Sequence, residues 1–381
     1  MKKSFYSSDF KLGILGGGQL GRMLIQESID YDIHIEILDP DKDAPCKDIC
    51  ARFVNGNLQD YDTVYNFGKD MDVLTIEIEH VNVAALHQLK AEGVTVYPQP
   101  EVLEIIQDKG LQKNFFEEND IATAPFILIN NKEEINQHLS KMPFMQKLRT
   151  GGYDGRGVTP LKSNSDLDNA FDAPSVLESF IDFEKEISVI VGRNPKGEIA
   201  CFPVVELVFN QEANLVEYLF SPAVISDEVE QKAIELANKI AQDLNIVGIM
   251  AVEMFVGKSG EVFVNELAPR PHNSGHHTIE ANETSQYLQH LKAILDLPLG
   301  ETSSNYHAAM INLLGEKGHE GNVYYQGLEE TLQKGVFPHI YGKKITKPFR
   351  KMGHITVVGK DADTVKSQVD HIKNNLKVIS K

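Results

Sequence analysis

A short apolar run, Leu12 to Leu15, ends in Gly16-Gly17-Gly18-Gln19-Leu20-Gly21, and a helical pattern begins at Gln19. Further strands read at 34–41, 72–81 and 94–100, with helical stretches between them. Strands and helices alternating at this length predict an α/β class with a parallel sheet flanked by helices.

At 381 residues the chain is too long for one simple core. Pro98 and Pro100 punctuate the end of the first unit. The next runs from about Glu101 to Pro298, opening on a helix expected over 103–119 and closing on one over 285–296. The polar break at 300–305 precedes a small third unit of short strands. The expected domains are 1–105, 106–299 and 300–381. Lys plus Arg number 37 against 55 Asp plus Glu, a net charge of −18, which argues against non-specific nucleic-acid binding. No apolar run reaches the roughly 18–20 residues of a membrane span. Asp9 and Lys11 interrupt any secretory signal, so a cytoplasmic location is expected. Cys46, Cys50 and Cys201 make neither a disulfide framework nor a four-thiolate zinc site.

The first glycine turn satisfies G-x-G-x-x-G, and Asp39 lies 18 residues beyond Gly21 at the end of the next strand. Three readings fit: a dinucleotide site, another phosphate at the helix N-terminus, or a tight turn without ligand. A second loop places Gly151, Gly152, Gly155 and Gly157 beside Lys147, Arg149 and Arg156. Glycines let backbone amides approach a polyphosphate, and the cations neutralise it.

Residues 249–270 read as a β-hairpin turning at Gly257-Lys258-Ser259-Gly260. A turn centred between Lys258 and Ser259 sets Glu253 against Val264, with Glu266 at the diagonal on the same face. Two carboxylates on an otherwise apolar hairpin suit Mg²⁺, which is held by one or two carboxylates plus substrate phosphates. His272 and His276 have a helical zinc spacing, but Pro269, Pro271 and Gly275 oppose a helix. A polar loop directly after a metal carboxylate points instead to substrate contact.

Taken in order, GILGGGQLGRM, RTGGYDGRG, VEMF, NELAPRPHNSGHHT and GKKITKPFRKMGHIT resemble the ATP-grasp superfamily. Within it they resemble the N5-carboxyaminoimidazole ribonucleotide synthetases, the biotin-independent carboxylases of purine biosynthesis. The resemblance implies an ATP-grasp fold, α/β (α+β), with an N-terminal doubly wound pre-ATP-grasp domain, a lid subdomain at about 120–182 and a small C-terminal domain. It places Lys109 and Lys147 on the ATP phosphates, and Gly152, Tyr153, Asp154, Gly155, Arg156, Gly157 and Val158 in the lid. Glu178, Ser179, Phe180 and Ile181 match the hinge whose backbone reads adenine, and Glu186 the acid on the ribose. Glu253 and Glu266 match the magnesium ligands, with Asn265 adjacent; Mn²⁺ is the alternative ion.

Asp154, Arg156 and Arg270 match residues at the reacting centre. Gln19, Glu77, His272, Asn273, Ser274, Lys343, Arg350 and Lys351 are placed with the ribonucleotide, Glu77 on the motif TIEIEHV. Phe209 stands where some members have a histidine, and Ala268 where the wider superfamily often has a third metal ligand. The implied substrates are ATP, bicarbonate and aminoimidazole ribonucleotide, and the implied assembly is a homodimer. A formate-dependent glycinamide ribonucleotide transformylase would share the scaffold. An NAD-dependent oxidoreductase would use only the first glycine turn, and a non-catalytic ATP-binding module would leave 269–277 without a task.

Overall fold

The computed structural model describes residues 3–152, 157–210 and 215–381. The N-terminal sheet contains β1 (Leu12–Leu15), β2 (Ile35–Asp39), β3 (Arg52–Asn55), β4 (Val73–Ile76) and β5 (Thr95–Val96). All are parallel, in the order β3-β2-β1-β4-β5. The helices α1 (Gln19–Ser28), α2 (Tyr61–Gly68) and α3 (Val83–Ala91) connect them. β1 is central and wholly buried, so the glycine turn emerges where the strand order reverses. Such a switch point, at the carboxyl ends of parallel strands, is where open α/β sheets form a crevice.

The helix expected over 103–119 is two helices, α4 (Pro100–Gln107) and α5 (Lys109–Glu118). Asp108 separates them in an extended conformation, and its carboxylate accepts the amides of Gly110 and Leu111. An aspartate that caps the next helix outweighs continuous helical patterning. A four-stranded antiparallel sheet follows, with β6 (Phe126–Ile129), β7 (Phe144–Leu148), β8 (Val158–Leu161) and β9 (Ser175–Ser179) in the order β6-β9-β7-β8.

The largest sheet contains β10 (Phe183–Arg193), β11 (Ile199–Cys201), β12 (Val205–Asn210), β13 (Leu215–Ser221), β14 (Gly248–Gly257) and β15 (Val262–Ala268). One face of β10, β14 and β15 carries Ile187, Val189, Val252, Met254 and Val264. These pack on Ala233, Ala237 and Ile240 of α6 (Asp227–Asp243). Side chains alternate across a strand, so Glu186, Ser188 and Glu253 face the other way. After α7 (Thr278–Ala281) and α8 (Gln286–Ile294) the chain adds β16 (His307–Leu314). Then come β17 (Gly321–Gln326), α9 (Leu328–Thr331), β18 (Val336–Ile340), β19 (Ile345–Thr346), β20 (Lys351–Gly359), α10 (Ala362–Asn375) and β21 (Lys377–Ser380). β16, β20 and β18 continue the large sheet from β13, so the polar break at 300–305 interrupts no sheet. β19, β17 and β21 form a separate small one.

Candidate active site

The hairpin of β14 and β15 differs from its sequence-based register. Val256 pairs Val262, Phe255 pairs Phe263 and Met254 pairs Val264, so the turn centres on Ser259. A bulge then intervenes, and Glu253 pairs Glu266 directly. Asn265 is the extra residue. A bulge bends the strand and re-aims its side chains, and both members of the Asn265-Glu266 pair reach the same cleft. Asn265 Oδ1 accepts from Lys147 Nζ at 2.9 Å, and Glu266 Oε2 from Lys109 Nζ at 2.6 Å.

Lys109 above all, against burial, holds the Glu266 carboxyl well below the usual range. Burial, reinforced by Glu266 and Glu186, pushes Glu253 up. Burial also raises Glu186 to about 7, with Lys147 opposing and Glu266 adding to the shift. Glu186, Glu253 and Glu266 thus act on one another in one cleft. Among the described residues no group of three His, Cys, Asp or Glu side chains could hold a metal by itself. The directly paired Glu253 and Glu266 are hard oxygen donors and fit Mg²⁺ completed by substrate phosphates.

Lys147 donates to Glu178 Oε2 at 2.6 Å, and Lys113 contacts Glu178 Oε1 at 2.9 Å. Sequence reasoning assigned Glu178 through its backbone and missed Lys113. The signal was present, since Lys113 is one helical turn from Lys109 on α5. Ser179 ends β9, and Phe180 and Ile181 lie between β9 and β10, joining the small sheet to the large one. Gly152 is described, Gly157 has φ +76°, and Val158 opens β8 opposite Lys147. Tyr153, Asp154, Gly155 and Arg156 lie outside the described residues. Arg149, expected to neutralise a polyphosphate beside the glycine loop, instead closes bidentately on Asp108 at 2.8 and 2.6 Å and ties β7 to the start of α5. Phe209 packs with Val205, Leu207, Leu219 and Met310, an apolar role.

The loop after β15 faces the same carboxylates. His272 Nδ1 accepts from the Ser274 amide at 3.3 Å, and the Ser274 hydroxyl lies 2.9 Å from it. That hydroxyl also meets Ser188 Oγ at 2.9 Å. The proton of His272 therefore sits on Nε2, 3.4 Å from Glu253 Oε1. Burial, aided by Arg270 and Lys351, keeps this imidazole neutral, its pKa lowered to about 3. Asn273 exchanges reciprocal amide hydrogen bonds of 2.9 Å with Asn312. Arg270 Nε lies 2.8 Å from Glu79 Oε1, an ion pair that sequence reasoning also missed.

The first glycine turn is occupied by the protein's own carboxylates. Glu77 accepts from the amides of Gly18 at 2.6 Å and Gly21 at 2.8 Å. Asp39 accepts from Gly17 at 2.6 Å and Asp41 at 2.7 Å. A Cβ at Gly18 would lie 2.5 Å from Glu77 Oε1, so the glycine is needed for this approach. Beside the turn, Lys343 Nζ donates to Gln19 Oε1 at 3.0 Å and to the Lys351 carbonyl at 2.8 Å. Arg350 donates to the Ile345 carbonyl at 2.7 Å. The 343–351 segment thus meets the first helix across the mouth of the crevice.

A sheet-to-sheet cleft with two lysines above paired carboxylates, entered from a switch-point crevice, defines an ATP-grasp enzyme. The ATP-grasp domain family matches residues 114–287. The ribonucleotide synthetase preATP-grasp domain matches 10–107, and the phosphoribosylaminoimidazole carboxylase C-terminal domain 308–368. The chain belongs to the N5-carboxyaminoimidazole ribonucleotide synthase family. It is 36% identical to the Bacillus subtilis synthase of that name, over 95% of each chain. It is 38% identical to a chloroplastic phosphoribosylaminoimidazole carboxylase from Vigna aconitifolia, covering 94% of this chain but 66% of that longer protein. The Thermotoga maritima N5-carboxyaminoimidazole ribonucleotide synthetase structure superposes with a TM-score of 0.91 at 42% identity, over 98% of this chain and 100% of that one. An Aspergillus clavatus synthase, solved with ADP and 5-aminoimidazole ribonucleotide, gives 0.87 at 32% identity, covering 97% and 99%.

Proposed function

We propose that the chain catalyses the ATP- and bicarbonate-dependent carboxylation of 5-aminoimidazole ribonucleotide to N5-carboxyaminoimidazole ribonucleotide, a carbon–nitrogen ligation of de novo purine biosynthesis. The observation that carries this reading is one cleft with two kinds of wall. Glu253 and Glu266 with Lys109 and Lys147 form a metal-nucleotide wall. Gln19, Lys343 and the 272–274 loop form a second wall, and Lys351 acts electrostatically on both Glu253 and His272. The relative from Aspergillus clavatus, solved with ADP and 5-aminoimidazole ribonucleotide, supports a nucleotide and a ribonucleotide as the two occupants.

Bicarbonate attacks the γ-phosphorus of ATP, giving carboxyphosphate and ADP. The exocyclic amine then takes the carboxyl carbon, directly or as released CO₂, and phosphate and a proton leave. Phosphoryl transfer needs positioning and charge neutralisation more than covalent help. Lys109 and Lys147, on Glu266 and Asn265 of one strand, supply both. Mg²⁺ on Glu253 and Glu266 would neutralise charge on the transferring phosphoryl group. Arg270, oriented by Glu79, faces the intermediate's negative charge, a task shared with Arg156. By the family resemblance, the glycine-rich segment with Asp154 serves as the lid that keeps water from carboxyphosphate. Glu186 takes the ribose, and the backbone of 179–181 reads adenine. The enzyme acts in the cytoplasm as a homodimer, on small molecules alone; none of its described helices is long and apolar enough to cross a membrane.

The test is isotopic. With ¹⁸O-bicarbonate, ATP and aminoimidazole ribonucleotide, singly labelled phosphate is expected in step with ADP. Unlabelled phosphate, with turnover that requires formate and glycinamide ribonucleotide, would assign the chain to transformylation.

A further inference from the structure

Glu178 and Lys147 are brought together by register. Met145 pairs Glu178 and Lys147 pairs Val176 on β7 and β9. Opposed residues share a face, as do residues two apart, so Lys147 and Glu178 are diagonal neighbours on one side of the sheet. Each carboxylate oxygen takes one ammonium group: Oε2 faces Lys147 at 2.6 Å and Oε1 faces Lys113 at 2.9 Å. Side-chain exposure is 7% for Glu178, 3% for Lys113 and 12% for Lys147, so only Lys147 reaches toward the cleft. Lys113 also donates to Thr123 Oγ1 at 2.5 Å, and that hydroxyl donates to the Val264 carbonyl at 2.7 Å. Val264 precedes the bulge, and bulge residue Asn265 accepts from Lys147 at 2.9 Å.

We propose that Glu178 is a positioning residue: its buried carboxylate, with Lys113 as counter-ion on its other oxygen, aims the Lys147 ammonium at the phosphoryl group being transferred. The inference rests on the reading of Lys147 as a phosphate-binding lysine. An ammonium has three donors; Glu178 and Asn265 take two and fix the direction of the third. Two buried lysines on one carboxylate make a poor stability device, because apolar side chains of similar volume often replace buried ions at no loss. The arrangement does suit orientation. A lysine is a compact charge on a flexible stem and must be held from behind to meet a moving phosphoryl group.

A loosened Lys147 would still swing toward bound ATP, so ground-state binding would change little. The orientation needed in the transition state would be lost, and displacement of about 1 Å can cost on the order of 10²-fold. The signature is therefore a fall in kcat with little change in KM for ATP.

Glu178→Gln alone would leave two buried ammonium groups without a carboxylate and would threaten the fold. The test therefore uses Lys113→Met, and Lys113→Met combined with Glu178→Gln, which removes one charge of each sign. Lys113→Met is expected to keep kcat within about threefold, with Lys147 still on Glu178. The double variant, with a similar melting temperature, is expected to lose about 10²-fold in kcat with KM for ATP within about threefold. Turnover of the double variant equal to that of Lys113→Met would overturn the proposal, leaving Glu178 a counter-ion to Lys113. So would a rise in KM alone, or an equal loss in Lys113→Met. Lys147→Met is the separate control: normal turnover there would defeat the reading of Lys147 itself.

Discussion

Glu253 and Glu266 stand directly opposite each other across an antiparallel strand pair, with Asn265 as the extra residue of the bulge beside them. Side by side, they share one cation far more readily than at the diagonal spacing. Glu253→Gln and Glu266→Gln are each expected to leave the fold intact and lower ATP turnover by about 10²–10³-fold, as for other lost electrostatic contacts to a transition state. Steady-state ADP release at saturating Mg²⁺ measures this. A variant keeping more than half its activity would remove the pair from the metal site.

The acidic pair was legible in the residues, but its register was not. Strict alternation around a tight turn sets Glu253 against Val264. The turn is one residue longer, and Asn265-Glu266, two polar residues in succession between Val264 and Leu267, interrupts the alternation. That doublet is the mark of a bulge, readable only once the turn is known. Strand, glycine turn and helix at 12–28 were readable because their signals are local. What fills the glycine turn was not: Glu77 lies 59 residues from Gly18, and only the pairing of β1 with β4 brings it there. The break at Asp108 was hidden for the opposite reason. Its flanks are both good helices, and the capping carboxylate decides between one helix and two.

The occupied glycine turn yields a second expectation. A dinucleotide pyrophosphate needs the amides that Glu77 already holds, and two anions cannot share them. Asp39, the residue that would take a ribose hydroxyl, is turned back onto Gly17 and Asp41. Calorimetry with NAD and NADP is expected to show no micromolar binding; binding in that range would restore the dinucleotide reading.

Lys343 and Gln19 are 324 positions apart yet in contact, which places a cation of an acidic chain at the ribonucleotide wall. Lys343→Ala is expected to raise KM for the ribonucleotide about tenfold or more, the worth of one charge-assisted hydrogen bond. KM for ATP should stay within about twofold. Initial-rate kinetics with each substrate varied in turn decide it, and equal effects on both would make Lys343 part of the scaffold only.

Acid stability should be set partly by His290, which joins the N-terminal sheet to the large one. Its Nδ1 accepts from the Ile249 amide at 3.1 Å, so its proton is on Nε2 and is donated to Thr75 Oγ1 at 2.9 Å. Both nitrogens are committed in the neutral form, and burial lowers the pKa to about 3. An unfolded histidine titrates near 6.5. Between these values the unfolded chain binds a proton that the folded chain refuses, so stability rises with pH across the window. The contribution is complete above about pH 6.5 and is lost, at about 1.4 kcal/mol per pH unit, as pH falls toward 3. Burial likewise lowers His272, His276, His277 and His354, while the raised Glu186 and Glu253 act in the opposite sense, so the wild-type profile alone is a mixture. His290→Gln isolates one group, because its amide does not titrate and the other groups cancel in the difference. At pH 7.5 the variant is expected to melt lower than wild type by several degrees. The gap should narrow steadily below pH 6.5 and close or reverse near pH 5. A gap constant from pH 7.5 to 5 would mean that His290 takes up its proton in the folded protein as it does in the unfolded chain, so that burial does not hold it neutral.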